Sequence, residues 1–254
     1  MATPDAPSDP PKRQVGDLAY TDEGDGRTFL LVHGLPGSGR DFRWLAPVLA
    51  AHARVVRIDM PGFGGSPLSG GLDVDARADF VLAAVRTLGL EAPVVVGHSI
   101  GGVLATAAAT RAPELFSGLV LVSSPGARPH RGFRIPRRTL AGLVSFGPTA
   151  SLLRGTTQAF FRRAGFRHSS FEENRLTLQL VAQVSIEAHA ARLARVDLPT
   201  LHAFAADDPL VEVEIMRDAA KLTQGQVLEV PDGGHNPQKH HAVEIGAAMR
   251  ALFP

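Results

Sequence analysis

The chain has 254 residues, 44% of them hydrophobic, with a formal net charge of +1 and no cysteine. That size suits one α/β domain with an insertion, large enough to bury roughly 70–75% of its unfolded surface. The composition excludes a disulfide framework, thiol chemistry and a thiolate metal site, and the charge gives no global case for nucleic-acid binding.

Residues 1–14 are expected to be a disordered tail: Met1 to Lys12 hold four prolines and lack the apolar core of a signal peptide. Beyond it, apolar runs predict strands near 17–21, 28–33, 54–58, 93–97, 118–123, 200–205 and 226–230. Helices are predicted near 41–51, 74–88, 100–111, 212–222 and 238–252. Alternation of this kind is the mark of a mostly parallel sheet flanked by helices. The segment 125–198 breaks the rhythm. Its apolar positions, such as Leu176, Leu180, Val181 and Val184, fall at helical spacing, so it reads as a small helical cap inserted between two strands. The core then comprises 15–124 and 199–254. No apolar stretch reaches membrane-spanning length, and a cytoplasmic location is expected.

The most informative stretch is Val94-Val95-Val96-Gly97-His98-Ser99-Ile100-Gly101-Gly102. Three β-branched residues end a buried strand, and an Ala-rich run to Ala109 reads as a helix. A serine at the apex of such a turn is held in a strained conformation with its hydroxyl pushed clear of the sheet. The helix N-terminus behind it offers free N–H groups to a developing anion. A serine nucleophile needs a general base and a group that orients that base. The strand at 226–230 runs into a glycine turn presenting His235, and the strand at 200–205 ends in Asp207-Asp208-Pro209. Carboxylates at the C-terminal end of a parallel strand sit where active sites are built.

With these motifs the chain resembles the α/β-hydrolase family over roughly residues 15–254. Leu30 to Gly37 is similar to the family's oxyanion segment, Asp59 to Ser66 to its next strand-to-loop signature, and Gly97 to Gly101 to its nucleophile elbow. The resemblance implies Ser99 as nucleophile, His235 as base and Asp208 as acid, with the Leu35 and Ile100 amides as oxyanion hole. The family's spacing favours Asp208 over Asp207, although Ala205 replaces the commoner glycine. It implies no cofactor and no metal. His98 and His33 read as structural, and His240 and His241 fall on a helix without an accompanying carboxylate set.

A serine at the elbow argues against epoxide and haloalkane chemistry, for which relatives use an aspartate there. The reading is a hydrolase of a small carboxylic ester, lactone or thioester acting through an acyl-enzyme. The alternatives are a carbon–carbon bond hydrolase or lyase on an anionic substrate, or a ligand-binding receptor of the same fold. The segment 125–198 holds twelve arginines against four acids and no lysine. It reads as solvated helix faces, with Arg128, Arg131 and Arg163 among the candidates for meeting an anionic substrate.

Overall fold

The structure, a computed structural model, describes residues 8–254 except 134–136, 146, 164, 165 and 167. In chain order its strands are β1 (Arg13–Val15), β2 (Leu18–Glu23), β3 (Thr28–Val32), β4 (Arg54–Ile58), β5 (Val94–His98), β6 (Gly118–Val122), β7 (Thr200–Ala205) and β8 (Gln226–Val230). They form one sheet in the order β1-β2-β4-β3-β5-β6-β7-β8, antiparallel at β1 and β2 and parallel from β4 to β8. Helices α1 (Leu45–Ala50), α2 (Val74–Thr87) and α3 (Ile100–Arg111) follow β3, β4 and β5. Between β6 and β7 come α4 (Arg137–Ser145), α5 (Gly147–Arg163), α6 (Phe171–Gln183) and α7 (Ile186–Leu193). The chain closes with α8 (Val213–Leu222), α9 (Pro237–His240) and α10 (Ala242–Leu252).

Alternation along the strands creates two cores. Leu30, Val32, Val95, Leu119 and Leu121 face α2 and α3, whereas Phe29, Leu31, Val94, Val96, Val120 and Val122 face α1 and α10. Both faces are covered, which is why the central strands read as unbroken apolar runs. Ten consecutive residues of α3, Ile100 to Ala109, are buried; the small alanines let it pack between β5, α2 and α7. None of the described helices is long and apolar enough to cross a membrane.

Three details depart from the sequence reading. Residues 1–7 lie outside the described residues, but the expected tail is tied down from Asp9 onward. Arg57 on β4 is only 2% exposed, and Asp9 and Glu23 sit 2.8 and 2.9 Å from its guanidinium. Arg13 to Val15 pair with Leu18 to Tyr20. Local composition signals disorder here, yet buried charges further along the chain recruit the segment. The helix expected at 41–51 is a 3₁₀ turn, Gly39–Phe42, followed by the short α1. The helix expected at 238–252 breaks at His241, whose φ of −120° and ψ of 37° separate α9 from α10.

Asp59, at the end of β4, holds the neighbouring loops. Its carboxylate accepts from the Gly39 N–H at 2.8 Å, the Gly65 N–H at 2.7 Å and the Lys12 ammonium. Burial would raise its pKa, but the bonds from Lys12, Gly39 and Gly65 hold it below the ordinary carboxylate value. Removing it strands the buried Gly39 amide, worth about 1–3 kcal/mol when left without a partner, while the exposed Gly65 amide turns to water. Asp59→Ala is therefore expected to lose about 1–3 kcal/mol of stability. Urea unfolding of the two proteins checks this; equal midpoints would assign the loops another anchor.

Candidate active site

Ser99 sits between β5 and α3 at φ 51° and ψ −125°, a conformation that costs a non-glycine residue free energy and persists only when its surroundings enforce it. Its N–H donates to the Val122 carbonyl at 2.9 Å, tying the turn to β6. A Cβ at Gly97 would overlap the Gly102 backbone, and one at Gly101 would overlap the carbonyls of Val32 and His33. Glycine at both positions lets the strand and helix pass close enough to form the turn. The serine side chain is left part-exposed above the C-terminal edge of the parallel strands.

The residues expected to act together are brought together. His235 is 9% exposed, and its Nε2 lies 2.8 Å from the Ser99 Oγ. The His235 Nδ1 lies 2.9 Å from Asp208 Oδ2 and 3.2 Å from Oδ1. With the proton on Nδ1, donated to Asp208, Nε2 presents its lone pair to the serine hydroxyl. The buried Asp208 also accepts from the Leu210 and Val211 N–H groups at 2.8 and 3.1 Å. Burial pushes its pKa up, but the His235 hydrogen bond and those amides outweigh that, so Asp208 lies below the ordinary carboxylate value and stays ionised at neutral pH.

Asp207, its rival in the sequence, is exposed and faces a different task. Its Oδ1 accepts from the Gly234 N–H at 2.7 Å, one residue before His235. On the other side of the same turn, the His98 Nε2–H donates to the His235 carbonyl at 2.7 Å. The turn that carries His235 is thus held by two side chains. Sequence reasoning missed both contacts, and no local pattern signals them.

His33 shapes the segment before Leu35: its Nδ1–H donates to the Gly34 carbonyl at 2.7 Å, and its Nε2 accepts from the Met60 N–H at 2.9 Å. Leu35 and Ile100, both buried, line one small cavity. Among the described residues neither of their backbone N–H groups is bonded to another protein group. The cavity measures about 10 Å³, room for about one water. Its walls also include Phe63, Asp73, Arg77, Leu104, Leu180 and Val184.

Several arginines from 125–198 are engaged away from this cavity. Arg128 pairs with Asp218 at 2.5 Å, Arg131 lies 3.6 Å from Glu212, and Arg192 pairs with Asp75 at 2.8 Å. Arg162 and Arg163 are exposed, while Arg134 and Arg167 lie outside the described residues. Among the described residues, no arginine of this segment lines the cavity that Leu35 and Ile100 share. Among the described residues, no group of three or more His, Asp or Glu side chains is placed to hold a metal ion.

Comparison with known proteins agrees with this architecture. The alpha/beta hydrolase fold family matches residues 27–180. The chain is 27% identical over 245 residues to the pimeloyl-(acyl-carrier protein) methyl ester esterase of Aliivibrio fischeri strain MJ11, covering 87% of this chain and 93% of that protein. A thermophilic esterase from Thermogutta terrifontis superposes with a TM-score of 0.68 at 27% identity, covering 92% of both chains. A meta-cleavage product hydrolase from Pseudomonas fluorescens IP01 gives a TM-score of 0.70 at 23% identity, covering 93% of each chain, a likeness of fold.

Burial sets a distinct pH dependence. Desolvation pushes His98 down to about 3, and His189 and His202 down to about 4. In the unfolded chain they titrate near 6.5, so only the unfolded state takes up these protons below that pH. Their folded values are depressed, hence stability is full above about pH 6.5 and falls as pH drops toward the folded values. Each histidine costs about 1.4 kcal/mol per pH unit there, so together they remove roughly 4 kcal/mol between pH 7.5 and 5.5. Urea midpoints at the two pH values test this, and a flat profile would show that these rings protonate in the native state.

Proposed function

Because the chain belongs to the alpha/beta hydrolase fold family, we propose that it is a serine esterase that cleaves a small carboxylic ester through an acyl-enzyme. The observation that carries this reading is the run of contacts from Ser99 Oγ to His235 Nε2 at 2.8 Å and from His235 Nδ1 to Asp208 at 2.9 Å. The esterase relatives support it.

In this reading Ser99 Oγ attacks the ester carbonyl while His235 Nε2 takes its proton. Asp208 holds the imidazole tautomer and stabilises the imidazolium that forms. Charge developing on the carbonyl oxygen meets the Leu35 and Ile100 N–H groups, the latter at the positive end of α3. Collapse expels the alcohol, which takes the proton back from His235. Water, deprotonated by the same ring, then attacks the acyl-enzyme and releases the acid. Helices α4 to α7 act as the cap over the site, and the enzyme works on soluble substrates in the cytoplasm without a metal or cofactor.

Ser99→Ala is expected to lower kcat for p-nitrophenyl butyrate on the order of 10⁶-fold, and to abolish labelling by a fluorophosphonate. Comparable rates in mutant and wild type would overturn the nucleophile. Asp208→Asn should cost roughly 10³–10⁴ in kcat by disturbing the tautomer. Asp207→Asn, which only loosens the Gly234 amide, should cost far less, and the reverse ranking would move the acid to Asp207.

A further inference from the structure

Residues 128–132, on the way from β6 to α4, are bonded to the segment that begins with Asp208 and leads into α8. Arg128 pairs with Asp218, and the Arg131 N–H donates to Glu212 Oε2 at 3.0 Å. Between them lies His130, 4% exposed, whose Nδ1–H donates to the Leu210 carbonyl at 3.0 Å. The Gly132 N–H donates to the same oxygen at 3.1 Å. The ion pair is exposed and contributes little; His130 is the buried member of the set. Burial holds its ring below the ordinary histidine value, so at neutral pH it donates as a neutral imidazole.

The Leu210 carbonyl and the Val211 N–H belong to one planar trans peptide and point in opposite directions. On one side that unit accepts from His130 and Gly132; on the other its N–H donates to Asp208 Oδ1 at 3.1 Å. Rotating the unit breaks bonds on both sides at once. Hydrogen bonds in series polarise one another, so a donor on the carbonyl also strengthens the N–H that faces Asp208. The Asp208 carboxylate in turn meets the His235 Nδ1 through Oδ2 at 2.9 Å and Oδ1 at 3.2 Å. One row of contacts therefore runs from His130 through a single peptide to Asp208, His235 and Ser99.

We propose that His130 is a positioning residue for Asp208: its Nδ1–H fixes the peptide between Leu210 and Val211, and that peptide fixes the carboxylate against His235. The inference rests on the serine esterase reading above and adds one residue to its machinery. His130 acts through Asp208 and not on the reacting atoms. Its effect therefore falls on kcat, through the orientation of the imidazole, and leaves KM alone.

The test measures kcat and KM for p-nitrophenyl butyrate in His130→Asn, His130→Gln and His130→Leu. The amide nitrogen of Asn takes the place of Nδ1, whereas that of Gln reaches past it and Leu has no donor. Asn is expected to keep kcat within about twofold, while Gln and Leu lose about tenfold, the worth of one hydrogen bond, at unchanged KM. The same substitutions in the Asp208→Ala protein are expected to have no further effect, because the peptide then has no carboxylate to place. A merely structural histidine would cost as much in either background. Full additivity with Asp208→Ala, a change confined to KM, or wild-type kcat in both Gln and Leu variants would overturn the proposal. Should His130→Leu fail to fold, Asn against Gln decides it. The rate of fluorophosphonate labelling at Ser99 reads the same groups without ester turnover. Labelling that depends on His130 in a protein that cleaves no ester would overturn the esterase reading and leave the positioning role standing. Ester hydrolysis indifferent to His130 would do the reverse, and neither labelling nor hydrolysis would overturn both.

Discussion

The site depends on one steric constraint, the approach of α3 to the backbone at the end of β3. Gly101 lies against the Val32 and His33 carbonyls with no room for a Cβ. That contact lets α3 begin immediately after β5, and the abrupt start leaves Ser99 at φ 51°. Everything else is arranged around the same edge. β7 delivers Asp208 just past its end, and β8 delivers His235 five residues past its own. Parallel strands with crossover helices send every such loop to one side, where residues distant in sequence meet.

The two cores explain why so much of this was legible beforehand. A strand buried on both faces must be apolar at every position, so Val94 to Val96, Phe29 to Val32 and Leu119 to Val122 announced themselves. The elbow was equally plain, because only glycine satisfies the packing on either side of the serine. β1 escaped notice for the opposite reason: its three residues are exposed, and only pairing with β2 makes them a strand. The break at His241 also carried no warning, since the ring is held by Asp232 and Glu244, at 2.9 and 3.3 Å. Such side-chain contacts outweigh helix propensity and leave no periodic trace.

Charge was the hardest feature to read. The arginine excess between 125 and 198 drew attention by number, yet Arg128, Arg175 and Arg192 are spent on surface acids. A single arginine stands out by its place instead: Arg77 is buried in the stripe of α2 with Val74, Ala78 and Val81, one turn after Asp73. Counting charges averages such a residue away, whereas placing each on its helix face isolates it.

The grip on the His235 turn from both sides has a consequence for timing. A loop free to wander would have to be gathered into place in each catalytic cycle, and the entropy of that search would be added to the barrier each time. Here Asp207 holds the Gly234 amide and His98 the His235 carbonyl, so the search is completed once, as the chain folds. The molecule carries the expense as reduced stability of its resting state, including a buried neutral His98 that resists protonation.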